Sequence, residues 1–357
     1  MNRRVFLATG LTGTVASALP QDSAPKILNQ QPGMRYRPLG KTGISLSALS
    51  NGGLVSVEGV VNYAIDKGVN LIHASEPYLN GRSLATYGNV MKTRREKVYI
   101  ALKDDFRNFD AMLEALHTDH VDFLMFNRHS PEAVNDPRLR ETFEKYRKAG
   151  KVRWAGLTCH GQVKATTAAA INAGWFTIVM PAMNQPAFES MQEEVRLAEQ
   201  KGVSVMPMKS MNGMRELDLQ LAYLKKLMAN TGITTVVKGF NTFEMFDAYL
   251  LAVKQPLAAI EDKALYRYAQ ANRSVNCMAC GECQAACPER IDVPAIFRAK
   301  YYYHDQCGDT ELARTTYREL GRTWSAQCVS CELCERACPN GIPIRERLET
   351  VRKVFRA

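Results

Sequence analysis

The sequence contains no apolar run of about 18 residues, the length that a membrane-spanning helix needs. It also lacks a block of like charge, although 46 basic and 36 acidic residues leave a formal charge of +10. A nucleic-acid-binding arm would show such a block, so we expect no nucleic-acid partner and a solvated basic surface. The hydrophobic fraction of 46% and the charged fraction of 23% exclude a disordered, collagen-like or coiled-coil protein.

The first residues resemble a twin-arginine export signal. Arg3 and Arg4 precede a mildly apolar stretch that ends in a small-x-small cleavage pattern at 16–18. This order predicts a signal peptide over 1–18, and the Pro-, Gly- and Gln-containing residues 19–34 predict a flexible linker. We therefore expect export to the periplasm or another extracytoplasmic space, the alternative being a frayed helix with two chance arginines.

Short β-branched or apolar runs alternate with amphipathic helical stretches between about residues 45 and 254. Eight βα units over this length predict an α/β fold, a (β/α)8 barrel of the TIM type over residues 35–255. The predicted strands are Ser45–Ser50, Asn70–Ser75, Val98–Lys103, Val121–Asn127, Val152–Cys159, Phe176–Asn184, Val203–Ser210 and Thr234–Phe240.

The active site of such a barrel lies at the C-terminal ends of its strands. Three of the six histidines fall there, which raises the chance that some of them are functional. A metal site built on these histidines, or a reactive thiol at Cys159, is an alternative to structural roles. The strand-end residues are His73, Lys103, Asn127, His129, Cys159, His160, Asn184, Lys209 and the turn Lys238-Gly239-Phe240.

Several segments resemble the aldo/keto reductase family. The run YRPLGKTG at 36–43 is similar to the opening of these proteins, as are GKVR at 150–153 and the stretch 201–209. Residues 70–78, with GRS at 81–83, look like the segment that carries the catalytic Asp and Tyr of the family. The resemblance covers roughly residues 35–255 and implies the barrel fold, oxidoreductase activity and a small-molecule substrate.

The resemblance places four catalytic positions of the family on this chain. Its Asp, Tyr, Lys and His correspond to His73, Tyr78, Lys103 and Asn127, so the acid and its cation are retained while two partners differ. In the family the Tyr is the general acid, the Lys lowers its pKa and the Asp orients the Lys. Tyr78 could still donate a proton, and the amide of Asn127 could bind a substrate oxygen.

The positions that the resemblance assigns to a nicotinamide nucleotide are less complete. Met183 replaces the stacking aromatic, Met180 the carboxamide-binding Gln, and Met245 and Tyr249 the adenine-side Gln and Asn. Met and Tyr cannot reproduce paired amide contacts, and free NADPH is missing outside the cytoplasm. The sequence therefore argues against nicotinamide dependence and leaves NADP as an alternative cofactor. The retained candidates for cofactor binding are Asn184, Lys209, Gly239 and Glu244.

Eight of the ten cysteines form two runs of the pattern C-x2-C-x2-C-x3-C-P. In this bacterial ferredoxin run, three cysteines hold one [4Fe–4S] cluster and the fourth holds the other cluster. Zinc sites or disulfides are the alternative, but zinc sites rarely repeat this unit. Cys159 and Cys307 are left as non-ligands. The predicted ligands are Cys277, Cys280, Cys283 and Cys338 for a first cluster, and Cys328, Cys331, Cys334 and Cys287 for a second.

The segment between the two runs contains two helical patterns, Val293–Tyr303 and Glu311–Leu320. Residues 256–357 therefore resemble the α-helical dicluster ferredoxin modules of multi-subunit oxidoreductases, and the dicluster tail that some aldo/keto reductase-like proteins carry. Clusters are assembled on reduced thiols in the cytoplasm. The twin-arginine route carries folded proteins and so is compatible with such a tail.

The sequence thus favours an exported iron–sulfur oxidoreductase. Electrons would pass through two [4Fe–4S] clusters to or from a substrate at the barrel mouth, with a redox partner protein on the other side. Two alternatives remain open at this point. One is a non-catalytic electron-transfer subunit with a degenerate barrel, and the other is an NADPH-dependent carbonyl reductase exported with its nucleotide bound.

Overall fold

The computed structural model describes residues 24–104, 108–304, 310–320 and 327–355. The predicted export signal at 1–18 and Cys307 lie outside these residues. Among the helices that the model describes, none is long and apolar enough to cross a membrane. The described strands, in chain order, are β1 (Lys26–Ile27), β2 (Tyr36–Pro38), β3 (Ile44–Ser47), β4 (Leu49–Asn51), β5 (Leu71–Ser75), β6 (Tyr99–Lys103), β7 (Val121–Asn127), β8 (Val152–Cys159), β9 (Phe176–Pro181), β10 (Ser204–Val205) and β11 (Val236–Lys238).

Strands β4 to β11 form one parallel sheet in the order β10-β9-β8-β7-β6-β5-β4-β11. The two edges of this sheet meet, because Val205 bridges Ile233 and the Thr234 amide donates to the carbonyl of Val205 at 3.1 Å. The curled eight-stranded sheet is therefore consistent with the predicted (β/α)8 barrel. One difference concerns the first predicted strand, which is split: β4 belongs to the barrel, whereas β3 pairs with β1 and β2.

Helices alternate with these strands, as the hydrophobic pattern predicts. Gly68, Gly150, Gly174 and Gly202, which follow helices, have positive φ angles as left-handed helix ends require. The helices of this region are α1 (Glu58–Asp66), α2 (Arg82–Arg94), α3 (Phe109–Ala115), α4 (Pro131–Val134), α5 (Pro137–Lys148), α6 (Val163–Ala173), α7 (Gln185–Ser190), α8 (Gln192–Lys201), α9 (Leu217–Ala229) and α10 (Phe243–Ala252).

The described part of the predicted linker, residues 24–34, is not a free linker. Strand β1 pairs in parallel with β3, and Asn29 donates hydrogen bonds to the carbonyls of Ile65 at 2.5 Å and Val69 at 3.2 Å. The composition pointed to flexibility, but the backbone groups of the segment are satisfied by the barrel. These residues therefore form part of the barrel fold.

The barrel interior is filled with side chains and forms no open channel. Leu39 and Leu46 enter it from the small β1-β3-β2 sheet and meet Phe123 and Met125 of β7. Gly156 of β8 allows this packing, because a Cβ there would lie 2.2 Å from the Met125 sulfur. With the interior packed, space for a ligand exists at the ends of the strands.

The C-terminal domain consists of two similar halves. Its helices are α11 (Ala259–Ala271), α12 (Glu282–Ala286), α13 (Val293–His304), α14 (Thr310–Glu319), α15 (Leu333–Arg336) and α16 (Ile344–Phe355), so both helices predicted between the cysteine runs are present. The halves repeat with the same spacing, in that Cys277 corresponds to Cys328 and α13 to α16. Their apolar core consists of Cys283, Ile291, Val293, Ile296, Phe297, Ile342, Ile344, Leu348 and Val351.

The backbone repeats as closely as the sequence does. Ala279 and Ser330, at the same place in the two halves, have φ angles of 53° and 56°, and Gly281 and Glu332 have φ angles of 90° and 65°. Left-handed residues turn the chain sharply, which lets three cysteines spaced by three residues face a common centre. The loop conformation is therefore a property of the cysteine run.

Asn70 joins the N-terminal segment to the barrel and is fully buried. Its side chain accepts from the Ser47 amide at 2.8 Å and donates to the carbonyls of Leu28 and Ser45 at 3.1 Å. We expect Asn70→Ala to destabilise the barrel by about 2–4 kcal/mol, because three buried backbone groups lose their partner. The urea-unfolding midpoint, followed by circular dichroism, measures this.

The matched control is Asn172→Ala, on the exposed side of α6. A surface change of this kind shifts stability by no more than about 0.5 kcal/mol. Equal midpoints for the two variants would contradict the role given to Asn70.

Candidate active site at the barrel mouth

A cavity of about 910 Å³ lies between the barrel and the C-terminal domain. On the barrel side it is lined by strand-end residues such as His160, Lys209 and Ser210. On the other side it is lined by Cys277 of the first cysteine run and Arg298 of α13. The cavity therefore lies at the C-terminal ends of the strands, where a barrel of this type carries its active site.

The side chain of His73 lies near the barrel mouth and is uncharged. It is 2% exposed on β5, and its Nε2 makes no hydrogen bond with any residue that the model describes. Burial, together with the positive charges of Lys103 and Lys209, lowers the pKa of His73 to about 3. An uncharged imidazole with a buried, available nitrogen can bind a polar ligand group, but it cannot supply positive charge near neutral pH.

Tyr78 lies beside His73, with ring centroids 6.0 Å apart, and Lys103 places its Nζ 5.1 Å from the Tyr78 ring centroid. The family resemblance implies that the lysine lowers the pKa of the tyrosine. Here burial raises the pKa of Tyr78 well above its usual value, and the cation that opposes the shift is Arg298. Tyr78 therefore keeps its proton near neutral pH.

A second group of polar residues lies at the ends of β7 and β8. Thr158 donates to the Oδ1 of Asn127 at 2.9 Å, and the His160 amide donates to the Nδ1 of His129 at 3.1 Å. Burial lowers the pKa of His129 to about 3 and that of His160 well below its usual value. In the described part of the chain, no three His, Cys, Asp or Glu side chains converge on a single metal ion.

Cys159 is a buried thiol rather than a reactive one. Its sulfur lies 3.7 Å from the Thr167 hydroxyl, and burial raises its pKa to about 12. A thiol with this pKa is almost entirely protonated near neutral pH and is a poor nucleophile. The structure therefore favours the packing role for this residue.

Asn184, which the resemblance assigns to nicotinamide binding, is used differently. Its Nδ2 donates to the carbonyl of Cys277 at 2.9 Å, and its Oδ1 accepts from the Ala187 amide at 3.3 Å, where it caps α7. Lys209 lies under the aromatic rings of α13, with its Nζ 4.1 Å from the Tyr302 centroid. Both residues thus contact the C-terminal domain.

Of the two remaining nucleotide candidates, Gly239 lines the same cavity as Asn184 and Lys209, whereas Glu244 does not. Glu244 lies in the exposed first turn of α10. Gly239 packs against the backbone of Leu54, since a Cβ at Gly239 would lie 3.0 Å from the Leu54 carbonyl oxygen. Phe240 and Tyr249 pack together in the core, with ring centroids 5.7 Å apart. This part of the barrel is filled by its own aromatic side chains.

The eight cysteines of the two runs line two separate cavities. Each cavity takes three cysteines from one run and the fourth from the other, which are the two sets that the sequence pattern predicts. Cys277, Cys280, Cys283 and Cys338 line the first cavity, and Cys287, Cys328, Cys331 and Cys334 line the second. We call these sets the first and second quartet.

The thiols of the first quartet are close enough to affect one another. Burial raises the pKa of Cys277 to about 11, and the neighbouring thiols Cys280 and Cys338 add to this shift. Backbone amides point at the sulfurs: Ala279 donates to Cys277 at 3.4 Å and Ile342 to Cys338 at 3.5 Å. One buried and three half-buried thiols, two of which accept hydrogen bonds from backbone amides, form a site whose thiolates a cationic centre would stabilise.

Comparison with known proteins shows what the barrel resembles. Residues 55–216 match the aldo/keto reductase family. The aldo-keto reductase AKR11C1 from Bacillus halodurans, in its holo form, superimposes with a TM-score of 0.54 at 18% identity, over 66% of this chain and 96% of that chain. A structure described as an aldo-keto reductase of Pseudomonas aeruginosa gives a TM-score of 0.53 at 18% identity, over 61% of this chain and 94% of that chain.

Residues 55–216 therefore resemble the aldo/keto reductase family, and at this identity the solved structures show the fold alone. A domain of this family implies an oxidoreductase. The sequence analysis did not find Arg298, Tyr301 and Tyr302, which reach the barrel mouth from α13. No local signal marks them, because their role follows from how the second domain is placed.

Gly281 lies at a close approach of the two domains. A Cβ at this position would lie 2.5 Å from Cγ of Gln162, at the start of α6. The positive φ alone does not require glycine, because Glu332 occupies the corresponding place in the second half with a φ of 65°. The adjacent Val163 amide donates to the carbonyl of Ala279 at 3.0 Å.

We expect Gly281→Ala to loosen this contact, because the new methyl group collides with Gln162. Hydrogen exchange of the Val163 amide should then accelerate about ten-fold or more, and adding Gln162→Ala should restore it. Gly341→Ala is the control, since that glycine also has a positive φ but has nothing within 4 Å. Equal acceleration in both variants would mean that backbone strain, not the domain contact, explains the effect.

Proposed function

We propose that this protein is an exported iron–sulfur oxidoreductase in which electrons pass through two [4Fe–4S] clusters to or from a small molecule at the barrel mouth. The observation that carries the proposal is the shared cavity. The loop residues Cys277, Met278 and Ala279 of the first quartet line the same space as His160 and the other strand-end residues. A substrate in this cavity would be within short electron-transfer distance of the first quartet.

The two quartets fit the groups that the sequence pattern implies. Each provides four sulfurs around one cavity, and the described cysteines form no disulfides. When bound, a [4Fe–4S] cluster supplies one-electron transfer. The first quartet would hold a cluster beside the barrel, and the second quartet would hold one farther from the cavity.

The surface around the second quartet supports the proposal of a redox partner protein that docks there. Cys331 is exposed, and two apolar side chains next to the quartet, Val329 and Leu333, are 69% and 39% exposed. Exposed apolar residues beside a redox centre are typical of transient docking surfaces. Electrons would therefore enter or leave at the second quartet and reach the substrate through the first.

Proton transfer would fall to residues of the barrel. Tyr78 is a half-buried phenol in its protonated form, and the Nζ of Lys103 lies 5.1 Å from its ring centroid. His73 is neutral, so its imidazole could bind a substrate oxygen or relay a proton. Because the Asn184 amide is bound to the Cys277 carbonyl, a nicotinamide would have to break this contact, which supports the cluster as the electron source.

Export by the twin-arginine route is part of the proposal. It is supported by Arg3, Arg4 and the cleavage pattern that follows them. A route that carries folded proteins would allow clusters to be inserted before export.

Removing one cysteine from each quartet tests the clusters separately. We expect Cys280→Ser and Cys331→Ser each to lower the iron content from about eight to about four atoms per chain, since each quartet holds its own cluster. Cys159→Ser is the control and should keep all the iron. Metal analysis of anaerobically purified protein and electron paramagnetic resonance after dithionite reduction are the measurements. Zinc in place of iron in the unaltered protein would rule the proposal out.

Replacing Tyr78 tests the proton-transfer step. We expect Tyr78→Phe to slow substrate-dependent reoxidation of the reduced protein by about 10²–10⁴-fold, because the ring packing is kept and only the acidic hydroxyl is lost. Carbonyl and sugar-like compounds are the substrates to offer. Tyr266→Phe, at a position 64% exposed on α11, is the control. If the clusters reduce but no compound reoxidises them, the catalytic function is wrong and an electron-carrier role is favoured.

A further inference from the structure

We infer that the cavity at the barrel mouth binds an organic anion, and that Arg298 of the C-terminal domain binds its carboxylate or phosphate group. The inference names the substrate class of the proposed function and rests on it. It concerns a residue that lies outside the matched aldo/keto reductase segment, 55–216. The substrate site would therefore be completed by the second domain.

The charge of the cavity is the first argument. Among the described residues that line it, the basic side chains outnumber the acidic ones, of which Glu216 is the single example. Such an excess in a partly enclosed space raises the local concentration of anions. The basic lining residues are Lys209, Arg215, Lys238, Arg298, Lys300 and Arg347.

The basic residues of the cavity do not all act on the same groups. Arg347 acts on the first quartet, whereas Arg298 acts mainly on the barrel. Arg347 stacks on Phe297, with its guanidinium carbon 4.4 Å from the ring centroid, donates to the Val275 carbonyl at 2.6 Å and acts on the Cys277 thiol. The electrostatic effect of Arg298 falls mainly on barrel residues, namely Tyr78, His129 and His160. Arg298 thus faces the barrel mouth.

Arg298 also has bonding capacity that the protein does not use. Its Nε is buried and makes no hydrogen bond with any residue in the described ranges. Asp292, an acid on which the charge of Arg298 acts, caps α13 by accepting from the Ala295 amide at 3.0 Å and forms no ion pair with Arg298 in the described structure. A buried guanidinium N–H without a partner is costly, and a bound anion would satisfy it.

Two neutral polar groups line the same cavity. The Nδ1 of His160 and the Oγ of Ser210 belong to residues that are 7% and 4% exposed, and neither atom has a hydrogen-bond partner among the described residues. An anion with hydroxyl or carbonyl groups would bond to both, with its acidic group on Arg298. This combination fits a sugar acid, a keto acid or a sugar phosphate better than a neutral carbonyl compound.

Calorimetric titration of the cluster-containing protein tests the inference. The probes are gluconate, glucose 6-phosphate and glucose at equal ionic strength, which share a carbon chain but differ in their acidic group. We expect one or both anions to bind and glucose to bind at least ten-fold more weakly. Arg298→Gln should lose about ten-fold or more of this affinity, because a charged hydrogen-bond donor is removed. Arg314→Gln, an exposed arginine on α14, should bind as the unaltered protein does.

The outcomes separate this inference from the proposed function. Binding of gluconate alone identifies a carboxylate, and binding of glucose 6-phosphate alone identifies a phosphate. If neither anion binds better than glucose, or if Arg298→Gln binds as tightly as Arg314→Gln, the anion site is wrong. Iron content and dithionite reduction are measured on the same samples. If the protein contains both clusters and a substrate reoxidises them, but anions bind no better than glucose, the proposed function is supported and the anion site is wrong.

Discussion

The hydrogen bond from the Asn184 side-chain amide to the Cys277 carbonyl, 2.9 Å long, connects the barrel to the C-terminal domain at the candidate site. It joins the end of β9 to the first residue of the first quartet, and the Val163 amide holds Ala279 in the same way. Because these bonds are made to the cysteine loop itself, the first quartet is fixed against the barrel mouth. The cavity between the two domains lies beside this contact, since both Asn184 and Cys277 line it.

Closure of the barrel mouth by the second domain also explains its electrostatics. Burial makes charged imidazole and phenolate forms unfavourable, so His73 is neutral and Tyr78 keeps its proton. The charge of Arg298, which comes from the other domain, opposes the rise in the pKa of Tyr78 that burial causes. The chemistry of the barrel therefore depends on a residue outside it.

Much of the fold could be predicted from the sequence because its signals are local. Strand β7 matches its predicted range, and the spacing of the cysteines predicts which thiols share a cavity. The linker prediction failed at residues 24–34 because composition does not show that Asn29 is bonded to residues of α1 and its following loop. Arg298 was missed for a related reason: its importance comes from a domain contact that no pattern near position 298 records.

The two halves of the C-terminal domain have the same backbone but different surroundings, and this difference gives the molecule a direction. Gly281 lies against Gln162 of the barrel, whereas Glu332, its counterpart, is exposed and pairs with Arg345 at 2.5 Å. Two identical halves would not by themselves differ in which quartet is covered and which is exposed. The barrel creates this difference, because it covers the first quartet and leaves Cys331 at the surface. Under the proposed function, an electron path between the two quartets would lead from the surface to the cavity, and the domain contact would set its direction.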